Sequence, residues 1–244
     1  MTALRLIRDA GFGGRGNVAL TAAMVELHDA GKIYDTLRVY RYPECVLLGR
    51  NQRAGEAVDL ALCQSRNIEV ARRITGGGAI YMDAGVMTFD LVITAKDGIS
   101  TATLPARVCS SIARELARLG VSAEFRPDND VVAGGKKLFG ASGFSHGSTL
   151  LYQGSLMVSP DVMVMGDILR IPGLADRVTT VSALAVRSVT IEQVEDLFAR
   201  AVGKALGRPL ESGALSPDEI GLQNEVLASE AGLASVTFPE QVAA

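Results

Sequence analysis

Residues 72–85 read RRITGGGAIYMDAG and place three consecutive glycines, Gly76, Gly77 and Gly78, between two arginines and an apolar stretch. A glycine inside a regular element costs roughly 0.5–1 kcal/mol, so a triplet indicates a turn, a bulge or backbone that lies against a ligand. The triplet does not form a G-x-G-x-x-G pattern that opens a helix. It therefore gives no support to a Rossmann-type parallel fold.

The flanking sequence mixes adjacent strands with separate helices. TLRVYRYPECVLLGR, residues 36–50, alternates and then turns apolar, which predicts two short strands joined near Pro43. IEVARRI leads into the triplet, and AIYMD and VMTFDLVIT follow it as strand candidates. Regular strand–helix alternation is missing. We therefore predict an α+β fold with a mixed, largely antiparallel sheet and flanking helices, with the triplet between or within strands.

Helix boundaries are predicted from caps and breakers. The first helix should begin at a cap on Asn17 and end at Gly31, and Pro105 and Gly120 should bracket another. Ser159 is predicted to cap DVMVMGDILRI, Thr190 with Gln193 forms a capping-box pattern closed by Gly207, and Ser216, Pro217 and Glu219 start a last helix.

Composition limits the classes of function. Hydrophobic residues make up 48% of the 244 residues and charged residues 21%, which indicates a folded globular protein. The net charge of −3 argues against a nucleic-acid partner. Three scattered cysteines suggest neither disulfides nor a zinc site, and no apolar stretch is long enough for a signal peptide or a membrane span. We expect a soluble cytoplasmic protein.

Four segments combine glycine with charged or amide side chains: GRNQ (49–52), RRITGGG (72–78), DND (128–130) and GGKKLFGAS (134–142). Glycine-loop amides and arginines bind anions, lysines hold phosphate or acyl oxygens, and the carboxylates of Asp128 and Asp130 suit Mg²⁺. The charged segments taken alone are more typical of solvated or salt-bridged arginines, turns and hairpin tips. Spacing alone thus predicts an anion-binding pocket and no particular reaction.

RRITGGGAIYMD resembles the R-R-x-x-G-G-G-x-V-x-H-D signature of lipoate-protein ligases. Other segments resemble further motifs of that family in the same order, over roughly residues 15–206: LRVYRYPECVLLGRNQ, NDVVAGGKKLFGAS, LYQGSLMV and DRVTTVSAL. The resemblance implies the catalytic fold shared with biotin protein ligases, over residues 1–208, followed by a helical tail at 209–244 without a full accessory domain. Some family members receive that accessory module as a separate polypeptide, and whether this chain needs such a partner stays open.

The reaction that the resemblance implies is ATP-dependent. Lipoate and Mg·ATP would give lipoyl-AMP and pyrophosphate, after which the lipoyl group passes to a lysine of an acceptor lipoyl domain. Lys137 matches the family lysine that contacts the acyl group and the α-phosphate, and Asp130 matches the metal and phosphate segment. The remaining predicted binding residues are Arg72, Thr75, Gly76, Gly77, Gly78, Ala79, Asn129 and Gln153.

The sequence departs from the family at several positions that we expect near the acyl pocket. Met82 replaces a histidine, Tyr152 and Gln153 stand where the family often has H-H, and Val86 stands where asparagine is common. Lipoate and octanoate both stay open as acyl substrates. Two other functions stay open as well: an octanoyl or lipoyl transferase that works through a cysteine thioester, and a non-catalytic lipoyl- or nucleotide-binding homologue.

Overall fold

The computed structural model describes residues 2–96, 98–127 and 129–229, and its framework is an eight-stranded sheet in the order β11-β1-β2-β6-β10-β9-β8-β7. Its strands are β1 (Leu4–Arg8), β2 (Thr36–Arg41), β6 (Val86–Thr94), β7 (Glu124–Arg126), β8 (Asp130–Ala133), β9 (Lys136–His146), β10 (Thr149–Met157) and β11 (Leu210–Gly213). Strand β1 pairs in parallel with β2 and β11, and the other pairs are antiparallel. The α+β prediction is confirmed.

A second, three-stranded sheet carries the glycine triplet between two of its strands. It consists of β3 (Cys45–Leu48), β4 (Glu69–Arg72) and β5 (Ile80–Met82), in the order β4-β3-β5. The two strands predicted around Pro43 are therefore confirmed as β2 and β3, but they belong to different sheets. The triplet connects β4 to β5, as the flanking strand patterns predicted.

Nine α-helices are described in these parts of the chain. They are α1 (Gly14–Asp29), α2 (Ala54–Ala57), α3 (Leu60–Ser65), α4 (Leu104–Leu116), α5 (Val162–Ile168), α6 (Leu174–Arg177), α7 (Val181–Leu184), α8 (Ile191–Leu206) and α9 (Pro217–Ala228). None of them combines the length and the hydropathy needed to cross a bilayer.

The two faces of the large sheet differ in chemistry because side chains alternate along each strand. One face presents Leu37, Phe89 and Tyr152 to α4 and α8 and forms the main hydrophobic core. On the other face Arg38 lies opposite Asp90, and Asp90 lies opposite Gln153. Val92 and Leu151 of this second face pack against apolar residues of α1, whereas Arg38 and Asp90 hydrogen-bond to its polar residues Asn17 and Thr21. The polar part of this face is the floor of the cavity described below.

Two predicted helix starts are wrong and two are confirmed. Gly13, not Asn17, precedes α1, because the Asn17 amide is already bonded to Phe12 and Arg38. Asp161, not Ser159, caps α5, because its carboxylate accepts the amides of Met163 and Val164. The capping boxes that begin α8 and α9 form as predicted.

The region beyond residue 208 contains a strand as well as a helix. Strand β11 forms the edge of the large sheet beside β1, and α9 packs on α1. The fully buried Glu219 accepts two hydrogen bonds from Arg5, at 3.1 and 2.5 Å. The division at residue 208 stays a prediction, and residues 230–244 lie outside the described chain.

We expect Glu219→Ala to lower the free energy of unfolding by about 3 kcal/mol, because it leaves the Arg5 guanidinium without its partner and removes half of the α9 capping box. Urea denaturation followed by circular dichroism measures this. Glu225→Ala, an exposed position on the same helix, is the matched control. Equal midpoints for the two variants would contradict the role given to the ion pair.

Candidate active site

A cavity of about 440 Å³ lies over the polar part of the large sheet, a volume typical of small-molecule sites. The glycine segment forms one side, where Gly77, Gly78 and Ala79 line it. The polar lining residues from the large sheet and the turn before β8 are Thr88, Asn129, Lys137, Ser142, Gln153 and Ser155. An apolar wall comes from Met157, Met165, Leu169, Ile171, Leu174 and Val178.

Arg73 fixes the glycine segment from inside the protein. Its guanidinium donates to the carbonyls of Leu47 (3.1 Å), Gly76 (2.7 Å) and Gly78 (2.8 Å), and to the hydroxyl of Thr75 (3.2 Å). Burial lowers the pKa of Arg73 to about 10, so the group stays protonated at neutral pH. Its charge strengthens these hydrogen bonds and holds the loop in one conformation.

The turn Gly49–Gln52 packs against the same loop. This contact requires glycine at position 49 in the turn, and the loop backbone itself requires glycine at position 77. A Cβ on Gly49 would clash with the carbonyl oxygen of Gly77, and Gly77 itself has a φ of +97°. The amide of Arg50 donates to the carbonyl of Thr75 at 2.9 Å. The two glycine-rich segments, separated by about 25 positions in the sequence, thus form one unit.

Lys137 lies at the polar end of the cavity and is held by a carboxylate. Its Nζ is 2.7 Å from Oδ1 of Asp130, whose Oδ2 accepts a hydrogen bond from Arg126 at 2.8 Å. A Cβ on Gly140 would lie 2.7 Å from the Lys137 Nζ, so glycine provides the space for the ammonium. Asn129, which lines the same end, has a φ of +101°, a conformation that asparagine tolerates better than most residues.

The cavity floor contains polar groups that make no hydrogen bond within the described residues. They are the Thr88 hydroxyl and the side-chain amide oxygen Oε1 of Gln153, which belong to residues 5% and 8% exposed. Beneath them, burial raises the pKa of Asp90 to about 6, although Arg38 and Thr21 contact its carboxylate. Unpaired buried polar groups cost about 1–3 kcal/mol each, so a ligand that hydrogen-bonds here is favoured.

The structure brings together most of the predicted site residues. Lys137, Gly77, Gly78, Ala79, Asn129 and Gln153 line the cavity, and Asp130 contacts Lys137. Thr75 is buried behind the loop, and the Gly76 carbonyl is bonded to Arg73. Arg72 does not line this cavity. Its Nη1 donates to the carbonyls of Gly49, Arg50 and Gln52, and it borders a second cavity.

Only two of the four positions that depart from the family motifs lie on the cavity. Val86 and Gln153 line it. Met82 packs in a core cluster with Tyr40 and Leu47, and Tyr152 lies on the opposite sheet face, 3.5 Å from the sulfur of Cys109. Met82 and Tyr152 therefore do not line the acyl cavity, because strand pairing turns both side chains into the core.

The sequence does not distinguish Arg73 from Arg72, and it gives no role to Thr88. Arg73 adjoins the triplet, but nothing in the letters RR tells which arginine turns inward. Thr88 lies within the predicted strand VMTFDLVIT, and its alternation with Phe89 was a usable signal for a polar sheet face.

None of the three cysteines borders the cavity. Cys45, Cys63 and Cys109 are buried free thiols in the cores. Burial raises the pKa of all three, that of Cys109 to about 11. A nucleophilic cysteine requires the opposite shift and access to the substrate.

The segment GFGGRG, residues 11–16, has G-x-G-x-x-G spacing at the start of α1. The Glu69 carboxylate occupies this helix start, because the Arg15 amide donates to it at 3.3 Å. Neither cavity is lined by these residues. The segment therefore does not act as a phosphate-binding loop here.

Metal-binding capacity is limited within the described residues. No group of three or more histidine, cysteine, aspartate or glutamate side chains is placed to hold a metal ion there. Asp130 and Asn129 offer one carboxylate and one amide oxygen beside the cavity. Because Mg²⁺ commonly binds through one or two carboxylates with substrate phosphates, this set fits Mg²⁺ only together with a nucleotide.

Comparison with known families gives one match over most of the chain. Residues 14–203 match the model of the lipoyl protein ligase A/B catalytic domain. That range includes the cavity, the glycine segment and Lys137.

The names of individual relatives fall into two activities, octanoyltransferase and lipoate-protein ligase. The octanoyltransferase LipM of Kyrpidia tusciae is 30% identical over 87% of this chain and 90% of its own. Lipoate-protein ligase A subunit 1 of Thermoplasma acidophilum is 27% identical over 78% of this chain and 79% of its own. A crystal structure of lipoate-protein ligase A bound with ATP superposes with a TM-score of 0.84 at 26% identity, covering 96% of this chain and all of that one.

Proposed function

Because the chain belongs to the lipoyl protein ligase A/B catalytic domain family, we propose that it is an ATP-dependent lipoate-protein ligase. It forms lipoyl-AMP from lipoate and Mg·ATP, and then transfers the lipoyl group to a lysine of an acceptor protein domain. One observation carries this proposal: a lysine ammonium lies at the polar end of a cavity that has an apolar wall and no cysteine among its lining residues.

The first step joins two anions. A lipoate carboxylate oxygen attacks the α-phosphorus of ATP, the new bond is a mixed anhydride, and pyrophosphate leaves. Negative charge on the phosphoryl oxygens must be neutralised in the transition state. The Lys137 ammonium is placed for this, and the neighbouring Gly77–Ala79 segment places backbone against the same cavity.

Asp130 acts on this step through Lys137. Its carboxylate holds the ammonium in place at 2.7 Å, and Gly140 leaves room for the lysine side chain. Asp130 and Asn129 are the residues that would hold Mg²⁺ with the nucleotide phosphates, and the ion supplies further positive charge there. Asp130 is thus a positioning residue for Lys137 as well as a candidate metal ligand.

The second step forms an amide. The deprotonated amine of an acceptor lysine attacks the acyl carbonyl carbon, AMP leaves with the bonding electrons, and the nitrogen loses its remaining extra proton. The apolar wall holds the acyl chain during both steps. Each buried methylene contributes about 0.8 kcal/mol, so the chain itself supplies much of the binding free energy.

The similarity to an octanoyltransferase supports a second candidate, transfer through an enzyme thioester. The positions of the cysteines argue against it. We therefore expect a variant with Cys45, Cys63 and Cys109 all replaced by alanine to keep acyl transfer activity within about threefold of the wild type, provided that circular dichroism shows it folded. Loss of transfer in the folded variant, with restoration by one of the single cysteines, would favour the thioester route.

The proposal is tested by intact-mass measurement. The protein is incubated with apo lipoyl domains and either lipoate or octanoate, with and without Mg·ATP, or with an octanoyl acyl-carrier thioester without ATP, and each domain is then weighed. A lipoyl increment that requires ATP supports the ligase. An increment from an acyl carrier thioester without ATP supports the transferase, and no increment under any condition would refute both.

A separate accessory polypeptide belongs to the same proposal. The relative from Thermoplasma acidophilum is named a subunit, which supports a two-part enzyme. The mass experiment is therefore run with and without that relative's second subunit. A reducing cytoplasm as the location rests on the free cysteines and stays a prediction.

A further inference from the structure

A second cavity, of about 280 Å³, lies on the other side of the glycine segment. Residues Arg72 and Ile74 line it, whereas Gly77–Ala79 line the acyl cavity, and Arg73 contributes to both. The second cavity thus shares a wall with the acyl cavity. The proposed reaction assigns no substrate to it.

Positive charge dominates this second cavity. Arg50, Arg72, Arg73 and His146 line it, and Glu26 is the one acidic side chain among the lining residues. In the described parts of the chain, none of the three arginines makes an ion pair with a carboxylate. The net charge of the whole protein is −3, so this local excess of arginine is not a general property of the surface, and Glu26 does not pair with any of the three.

Arg72 is fixed in a geometry suited to an oxyanion. Its Nη1 is held by the carbonyls of Gly49, Arg50 and Gln52, while its Nε and Nη2 make no hydrogen bond within the described residues. The exposed Arg50 has the ring of Phe144 as its contact, with the guanidinium carbon 5.7 Å from the ring centroid. Free guanidinium edges of this kind bind carboxylates in a forked geometry.

The rest of the lining favours a protein side chain over a free phosphate. Val25, Ile74 and Phe144 give the cavity apolar surface beside the arginines. In an aspartate or glutamate of a partner protein, the carboxylate can bind the arginines while its methylene groups and neighbouring side chains contact the apolar surface. A phosphate group alone would leave the apolar part in water.

We propose that this second cavity docks an acidic side chain of the acceptor domain during acyl transfer. The inference rests on the proposed ligase function. A domain that places a carboxylate there has its neighbouring surface at the rim of the acyl cavity, because the two cavities share the Arg73 wall. The acceptor lysine is thereby brought to the acyl-adenylate by charge as well as by shape.

Arg50→Glu tests the docking site, because the Arg50 side chain makes no hydrogen bond to any residue that the structure describes and lies outside the acyl cavity. We expect the KM for the apo lipoyl domain to rise about tenfold while ATP–pyrophosphate exchange without acceptor stays unchanged. Added NaCl should raise the wild-type KM and have a smaller effect on the variant. Arg50→Lys should recover part of the affinity.

Arg187→Glu is the matched control, with the same change of charge at an exposed position between α7 and α8. Its KM for the acceptor should equal that of the wild type. An equal rise in both variants would show a general charge effect and overturn the docking site. A rise in the KM for ATP in Arg50→Glu would assign the cavity to nucleotide phosphate and also overturn it.

The two proposals fail differently. Absence of pyrophosphate exchange in the wild type would refute the ligase function. Normal exchange and normal acceptor KM in a folded Arg50→Glu protein would refute the docking site and leave the ligase function standing. Isothermal titration of the apo lipoyl domain into each variant measures docking directly, and equal affinities would refute it even if turnover were undetectable.

Discussion

Replacing Lys137 with alanine is expected to slow adenylate formation at least about a hundredfold, because a preorganised donor to the developing charge contributes on the order of 2.7–4 kcal/mol. The fold should survive, since the lysine side chain is 42% exposed and Asp130 keeps its partner Arg126. ATP–pyrophosphate exchange with lipoate measures the rate of this half-reaction. Exchange that persisted at the wild-type rate would remove Lys137 from the mechanism.

Lys136→Ala is the matched control for that prediction. The neighbouring lysine donates to the carbonyl of Ala175 and does not line the acyl cavity. We expect its exchange rate to stay within about twofold of the wild type. A similar loss in both variants would indicate a general effect of charge or of strand β9, and not contact with the reacting groups.

Replacing Arg73 with methionine is expected to lower both stability and adenylation. The change leaves the carbonyls of Leu47, Gly76 and Gly78 without their charged donor. The Leu47 carbonyl is buried, and a buried unpaired acceptor costs about 1–3 kcal/mol. We expect the free energy of unfolding to fall by about 3 kcal/mol or more. Adenylation should fall more than about tenfold, because the loop no longer holds its conformation beside the acyl-adenylate.

Urea denaturation and pyrophosphate exchange, both at low temperature, separate these two effects. Arg53→Met, at a side chain 82% exposed, serves as the control for loss of an arginine. An Arg73→Met protein with unchanged stability and exchange would contradict the structural role of the buried guanidinium. Reduced pyrophosphate exchange in an Arg73→Met protein that is still fully folded would show that the loop conformation contributes to the rate of adenylation.

The two arginines of RRITGGG show how much of the structure a sequence motif can predict. RRITGGG predicts arginine beside a glycine loop, and the structure confirms that arrangement. Arg73 turns inward and hydrogen-bonds to the loop. Arg72 instead hydrogen-bonds to the turn at Gly49–Gln52 and lines the second cavity. Which neighbour turns inward depends on where β4 lies against β3, and that pairing is not encoded in the motif.

The positions that depart from the family motifs likewise include two adjacent residues whose side chains point in opposite directions. Tyr152 and Gln153 are adjacent letters, yet one packs against Phe89 in the core and the other lines the cavity. Alternation along a strand predicts that they point to opposite faces. Only the covering of one face by α4 and α8 decides which of them is buried away from the substrate.

The sequence by itself determined the features that depend on near neighbours in the chain. Its capping boxes specify the starts of α8 and α9, its adjacent strand patterns indicate an α+β fold with a mixed, largely antiparallel sheet, and its ordered motifs specify the family. Local hydrogen bonds and side-chain periodicity are enough for such features, because they involve residues only a few positions apart.

The tertiary structure alone decided how the site is assembled. It brought the turn at Gly49 against Gly77, placed Lys137 beside Asp130 and Gly140, and added an apolar wall from α5 and α6. These contacts join segments tens of residues apart, and their geometry depends on strand register and helix packing. A linear pattern records which residues are present but not which of their atoms face one another.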